Sequence, residues 1–404
     1  MPLGHVARVL IAIACLAGLA AVRAQTPAAP PAHATLLLDA RHLADVRARL
    51  RSGDKQLAAA LAALERDGAQ ALALKPVSVI DKAAVPPGGD KHDYMSQAPY
   101  WWPDPAKPDG RPYVRRDGER NPEINRISDH DNLGRVINAI ATLGLAYHLT
   151  GHERYAAHAA RLLRVWFLDP ATRMNPHLQF GQGIPGITLG RGIGIIETRN
   201  LGDLLDGVVL LAGSPAWTPA DSAGLQAWMR AYATWLVESP HGRDESDNGN
   251  NHETWYDVQV AALALYTGQR DLARRTLETS RMRIGRQIEP DGRQPRELAR
   301  TRAFDYSAMN LSGFFALAAL GERVGVDLWN HRTPDGRSLR QALEFLVPFA
   351  AGERPWTHKQ ITPFRPQAIH GLLRRAAVAW NEPRYGTLAA KIGGGTPRLD
   401  LTIP

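Results

Sequence analysis

Ala146-Tyr-His-Leu-Thr-Gly-His-Glu-Arg-Tyr-Ala156 and Leu265-Tyr-Thr-Gly-Gln-Arg-Asp-Leu-Ala273 share one layout: an apolar helical run stops at a glycine, and another run opens two to four residues later. Glycine is the usual residue past a helix end because it accepts the left-handed conformation. A restart that soon predicts a helical hairpin. Apolar residues recur at helical spacing on both sides of these stretches, in Leu43–Leu50, Leu57–Leu72, Leu133–Leu149, Tyr155–Phe167, Leu201–Leu211, Leu225–Leu236, Val258–Tyr266, Leu272–Ile284, Met309–Val324, Leu339–Phe349 and Ile369–Trp380. No sustained strand pattern competes. Repeated hairpins stack or close into a ring, so the expected fold is all-α, a single-domain (α/α) toroid formed as an incomplete barrel of helical hairpins. It is expected over residues 36–390, with 391–404 as a C-terminal tail, and the loops at one end of such a ring form the rim of a cleft.

The first residues set the compartment. Arg8 precedes the apolar stretch Val9 to Ala21, too short for a membrane span, and Val22-Arg23-Ala24 follows as a small-x-small cleavage pattern, so residues 1–24 read as a secretory signal. Residues 25–35 read as an extended Pro/Ala linker, which leaves an N-terminal helix nothing to dock on. The expected location is periplasmic or secreted, with no membrane insertion of the mature form. Cys15 is the one cysteine and lies inside the signal, so the mature chain has no disulfide, thiol nucleophile or cysteine-based metal site. The signal carries Arg8 and Arg23 and no acid, so the formal charge of +8 falls by two and stays positive. A basic chain draws anions. Nucleic acid is disfavoured as the partner, because the basic residues form no block and no nucleic-acid-binding signature appears. An anionic polysaccharide is the expected partner.

Two long irregular segments interrupt the helices. In the first, Pro76 to Ser128, Asp93-Tyr-Met-Ser-Gln-Ala-Pro-Tyr-Trp-Trp-Pro-Asp-Pro places Tyr100, Trp101 and Trp102 among prolines that lower the entropy of ordering it. These rings either stack on sugar faces or plug the loop onto the helical body. The second holds Asn175-Pro-His-Leu-Gln-Phe-Gly-Gln-Gly and Gly190-Arg-Gly-Ile-Gly-Ile-Ile-Glu-Thr-Arg-Asn200, where glycines let backbone approach a ligand. His177, Gln179, Gln182 and Arg199 are candidate sugar and carboxylate contacts. The alternative for Glu197 and Arg199 is a structural ion pair opening the next helix.

The chemistry concentrates in Asn248-Gly-Asn-Asn-His-Glu-Thr-Trp-Tyr256 and Arg296-Glu-Leu-Ala-Arg-Thr-Arg-Ala-Phe-Asp-Tyr306. Together they supply an amide, an imidazole, a guanidinium and a phenol. Breaking a glycosidic bond by β-elimination requires removing the weakly acidic proton beside a carboxylate, so groups must first mask that charge and stabilise the enolate. Asn251, His252 and Arg300 fit this task. A base for the C5 proton and an acid for the departing O4 are also needed, and one phenol between both atoms can serve as each in turn. Tyr306 is that candidate, with Arg300 or Arg302 stabilising its phenolate; Trp255 and Arg302 are further candidate substrate contacts. The bland alternatives are an asparagine N-cap, a structural histidine and an amphipathic-face tyrosine.

These segments resemble the alginate lyase family, whose members carry an Asn-His pair on one helix and an Arg and a Tyr on a later one. The similarity runs from about Leu36 to Gly386 and is nearest to the alginate-lyase-like sequences of polysaccharide lyase family 38, on Tyr94-Met-Ser-Gln-Ala-Pro-Tyr-Trp-Trp-Pro-Asp-Pro, Asn251-His252 and Arg300/Tyr306. Family 5 is more distant: its arginine stands seven residues before the tyrosine, where this chain has Ala299. The resemblance implies cleavage of alginate, mannuronan or glucuronan by β-elimination without a cofactor or catalytic metal. Rival readings are a toroidal glycoside hydrolase using Glu253, Asp257 or Asp305, a metal enzyme using His130 with Asp129 and Asp131 or His252 with Asp257, and a non-catalytic polyuronate-binding protein.

Overall fold

Two helices of one hairpin show how the chain sorts itself. Helix Asn251–Tyr266 buries thirteen of its sixteen residues, whereas Arg270–Gln287, joined to it through Gly268 at φ +76°, buries only Ala273, Leu277, Ser280, Ile284 and Gln287. The first is enclosed on nearly every side, its buried polar residues Asn251, Glu253, Thr254, Asp257 and Gln259 included, and the second, with a single buried stripe, covers it from outside. The computed structural model describes residues 34–403; the expected signal 1–24 and nearly all of the 25–35 linker lie outside the described residues.

In chain order the helices are α1 (Ala40–Arg51), α2 (Lys55–Leu72), α3 (Asp129–Thr150), α4 (Glu153–Leu163), α5 (Leu201–Val209), α6 (Pro219–Glu238), α7 (Pro240–Ser246), α8 (Asn251–Tyr266), α9 (Arg270–Gln287), α10 (Pro295–Leu298), α11 (Ala303–Glu322), α12 (Leu339–Ala350), α13 (His370–Ala379), α14 (Pro383–Ile392) and α15 (Pro397–Thr402). Helices α3, α5, α8 and α11 pack in succession as the inner members, and α4 and α9 turn back outside α3 and α8. This is the expected (α/α) toroid. Gly151, at φ +73°, ends α3 as its sequence predicts. Where α3 meets α5, Gly144 faces Gly207 so closely that a Cβ on Gly144 would lie 2.2 Å from the Gly207 carbonyl oxygen, and one on Gly207 would lie 2.6 Å from that of Ile140.

The loop between α2 and α3 is tied down. Its strand β1 (Met95–Gln97) runs parallel to β4 (Phe180–Gly183), and β2 (Trp101–Trp102) pairs antiparallel with β3 (Val114–Arg115). The ammonium of Lys82 meets Asp129, the first residue of α3, at 3.0 Å with both side chains fully buried. Asp129 also accepts the Met95 N–H at 3.0 Å. Glu197 accepts the hydroxyls of Tyr94, at 2.7 Å, and Ser96, at 2.6 Å. These short strands carry no alternating run and escape a periodicity reading.

Residues 391–404 are not a tail. The expected boundary falls inside α14, and α15 packs on α1 and α2 with Leu401 fully buried. Its cap is local: the Thr396 hydroxyl accepts the Leu399 N–H. No helix of the described residues is long and apolar enough to cross a membrane.

Candidate active site

The α7–α8 junction places the first pair. Gly249, at φ +66°, lets the chain turn beneath Arg296, and Asn250 caps α8 by accepting the His252 N–H at 2.9 Å. This leaves Asn251 and His252 on the first turn of α8. His252 Nδ1 lies 2.8 Å from the carboxylate of Glu245, which is wholly buried. Burial raises the Glu245 carboxyl above its ordinary range, with His252 pulling the other way. Asn251, fully buried, donates from Nδ2 to both oxygens of Glu297 on α10, at 3.0 and 2.8 Å.

The second pair comes from the turn between α10 and α11. Tyr306, on the first turn of α11, has its hydroxyl 2.8 Å from that of Tyr100 on the long loop. The Arg300 guanidinium lies 3.7 Å from the centroid of the Tyr306 ring. Burial raises the Tyr306 phenol, Tyr100 adds to the rise, and Arg300 opposes it. Arg300 is itself held by Asp117, with Nη2 to Oδ1 at 2.8 Å. Burial alone would lift the Asp117 carboxyl, but hydrogen bonds from Arg300 and Thr301 carry it well below the carboxylate range.

Asn251, His252, Arg300 and Tyr306 line one cavity of about 440 Å³, together with Tyr100, Trp101, Gln182 and Arg199 among the expected contacts. Gln182 sits there at φ +50°, an uncommon conformation for a residue with a side chain, and accepts from Arg191 at 2.7 Å. Five expected contacts do not line it. Trp102 donates from its ring to the Glu119 carbonyl and Trp255 to that of Met309, so both indoles fasten backbone. His177 pairs with Asp93 at 3.1 Å, Gln179 meets His241, and Arg302 pairs with Asp305 at 2.8 Å. Of the two arginines, Arg300 is the one at the cleft. Glu197 and Arg199 are not the expected ion pair: Glu197 holds the β1 segment, and Arg199 donates to the Ile196 carbonyl.

Sequence reading missed Arg115, Arg120 and Arg191, which also line the cavity. Burial pushes the Arg191 guanidinium down to about 10 and lowers Arg199 as well, leaving both charged at neutral pH with neutral partners, a glutamine side chain and a backbone carbonyl. Such cations suit an entering anion. The Gly-Arg-Gly of 190–192 was the one available signal for Arg191: a Cβ at Gly190 would meet the Gln179 carbonyl at 2.1 Å, so the glycines pack this segment tightly.

The carboxylates of the hydrolase reading are engaged elsewhere, whereas His130, Asp131 and His252 of the metal readings line the cavity. Glu253 takes Arg283 and Arg286, Asp257 takes Arg283 Nε at 2.6 Å, and Asp305 takes Arg302. Asp129 is bound to Lys82, and among the described residues no group of three or more His, Cys, Asp or Glu is arranged to hold a metal ion.

The family model for alginate lyase matches residues 78–356. An alginate lyase from Bacteroides ovatus superposes with a TM-score of 0.88 at 40% identity, covering 92% of this chain and 99% of that one. Alginate lyase A1-III from Sphingomonas species A1 shares the fold at 19% identity, TM-score 0.56, over 90% of this chain and 94% of its own. A variant of A1-III complexed with a tetrasaccharide gives 17% identity, TM-score 0.59 and 92% and 95% coverage. Among curated proteins none matches the chain. With a cleft that gathers the amide, imidazole, guanidinium and phenol of two helix starts, and with 40% identity over nearly the whole chain, the protein belongs to the alginate lyase family and is a polysaccharide lyase.

Proposed function

We propose that this lyase cleaves a β-linked polyuronate, mannuronan or glucuronan, by syn β-elimination with Tyr306 as base and then acid. The observation that carries the reading is the Tyr306 hydroxyl, 2.8 Å from Tyr100 and with a guanidinium against its ring, in the same cavity as Asn251 and His252. As a phenolate, favoured by Arg300, Tyr306 takes the C5 proton; the C4=C5 double bond forms as the C4–O4 bond breaks, and the phenol returns its proton to O4. Asn251 and His252 face the uronate carboxylate, whose charge grows toward the enolate. Arg300, already paired with Asp117, serves the phenol more than the carboxylate. Arg191 and Arg199 offer charge to neighbouring uronates.

In mannuronan and glucuronan the C5 proton and O4 lie on one face of the ring, so a single phenol reaches both. Guluronan presents them on opposite faces. We further propose action outside the cytoplasm, periplasmic or secreted, on the signal-like residues 1–24.

The test is a panel of mannuronan, glucuronan, guluronan and heparin-type chains at equal uronate concentration, followed by the ultraviolet absorbance of the new double bond. Faster initial rates on the first two are expected. Preference for guluronan or heparin-type chains overturns the single-phenol mechanism; binding without absorbance supports the binding-protein alternative.

A further inference from the structure

A carboxylate-binding amide must offer N–H, yet Asn251 is arranged to do the opposite. Its Nδ2 donates to both Glu297 oxygens and its backbone N–H donates to the same carboxylate at 2.6 Å. Its Oδ1 is buried and accepts no hydrogen bond from the protein. An ionised carboxylate has acceptors alone, so while Glu297 is charged it claims the amide nitrogen. A uronate carboxylate brought to Asn251 would then compete with Glu297 for that nitrogen and face the amide oxygen, also an acceptor.

One proton resolves the conflict. A protonated Glu297 donates its O–H to Asn251 Oδ1, while its second oxygen still accepts the Asn251 backbone N–H. The amide, turned half a revolution about its Cβ–Cγ bond, then offers its N–H groups to the cleft. We propose that Glu297 is a positioning residue that takes up a proton as a uronate enters, turning the Asn251 amide to donate to the substrate carboxylate. The proposal rests on the reading that Asn251 meets that carboxylate.

The surroundings of Glu297 support it. Glu297 is 1% exposed. Burial holds its carboxyl above the ordinary range against the pull of the Asn251 N–H groups, and the charged or titratable groups facing it are Arg300, from the turn before α11, and His252, from α8. A second anion at Asn251 raises the carboxyl further, because like charges in one site cannot both ionise cheaply.

The experiment is calorimetric titration of the folded Tyr306→Phe protein with an oligomannuronate, near neutral pH, in buffers of differing ionisation heat. Binding is expected to take up about one proton per chain from the buffer. In the Tyr306→Phe, Glu297→Gln double variant the side-chain amide donates to Oδ1 permanently, so binding is expected to persist with that uptake lost. Glu297→Ala in the same background is expected to weaken binding about 10-fold or more, since the Asn251 amide loses its guide.

Uptake unchanged in the glutamine variant overturns the proposal, as does absence of uptake in Tyr306→Phe itself. If Glu297→Gln does not fold, a His252→Gln, Glu245→Gln variant replaces it, which removes the imidazole and its buried carboxylate partner together. Uptake that survives there belongs to Glu297, and uptake that vanishes overturns the proposal. Failure of the elimination reading is separate: the parent enzyme then gives no ultraviolet-absorbing product from any polyuronate.

Discussion

Tyr306 stands between two opposing influences, burial beside Tyr100 and the Arg300 cation. Removing its hydroxyl should remove proton transfer and little else, so Tyr306→Phe is expected to cost ~10²–10⁴-fold in kcat with oligomer binding retained. A rate above about a tenth of the parent's, measured by the double-bond absorbance, would show that another group moves the proton. Arg300→Gln takes away the charge that favours the phenolate. The phenol then titrates higher, and the rising limb of kcat against pH should move to higher pH. A limb that stays in place would show that Arg300 does not tune Tyr306. That Asn251 and His252 lie together, and Arg300 beside Tyr306, was legible because each pair is close in sequence at or just before a helix start. Asp117, Glu245 and Glu297 were not, because the fold brings their partners to them. Trp102 and Trp255 misled for a related reason: nothing in a sequence tells an indole stacking on sugar from one donating to a distant carbonyl.

The long loop between α2 and α3 is the element on which the site depends, since it delivers Tyr100 to Tyr306. Its anchor at Lys82 and Asp129 is paradoxical, for burial lowers the ammonium and raises the carboxyl to about 6 despite their contact. The Asp129 carboxyl therefore titrates higher in the folded than in the unfolded chain, where it is ~3.9. Folding retains its proton more tightly, so its contribution to stability falls as pH rises from ~4 through about 6. Removing the ammonium should sharpen that fall. Lys82→Met is expected to cost ~3–5 kcal/mol near neutral pH, where it leaves a buried aspartate unpaired, and less toward pH ~4. Equal losses at both ends of a thermal-denaturation series would show that the pair does not act through charge. The sequence showed that this loop is ordered, from its prolines and aromatics. It did not show how, because β1 and β4 are too short to have a period and are joined from opposite ends of a long separation.

At the scale of the molecule the hairpin pattern was the most legible feature. Helix-period runs and glycine stops survive any detail of packing, and every helical run read from the sequence overlaps a helix, although Leu201–Leu211, Met309–Val324 and Ile369–Trp380 reach one or two residues past its ends and Tyr155–Phe167 continues from α4 into a π turn over residues 164–168. The C-terminus was misread because a six-residue helix has no period to show. It closes over α1 and α2 rather than trailing, so truncation after Gly395 is expected to lower the thermal midpoint while leaving kcat nearly unchanged. A large fall in kcat in the folded truncation would link the clasp to the cleft. The Gly144 and Gly207 crossing carries a last consequence. Helix α3 starts at Asp129, beside the cleft residues His130 and Asp131, and α5 follows directly from Arg199; the crossing lies roughly 22 Å along α3 from that start. A methyl at Gly207 would push two backbones apart and swing both cleft-side helix starts with them. The setting of the cleft is thus gauged by a missing side chain that lies far from every residue lining it.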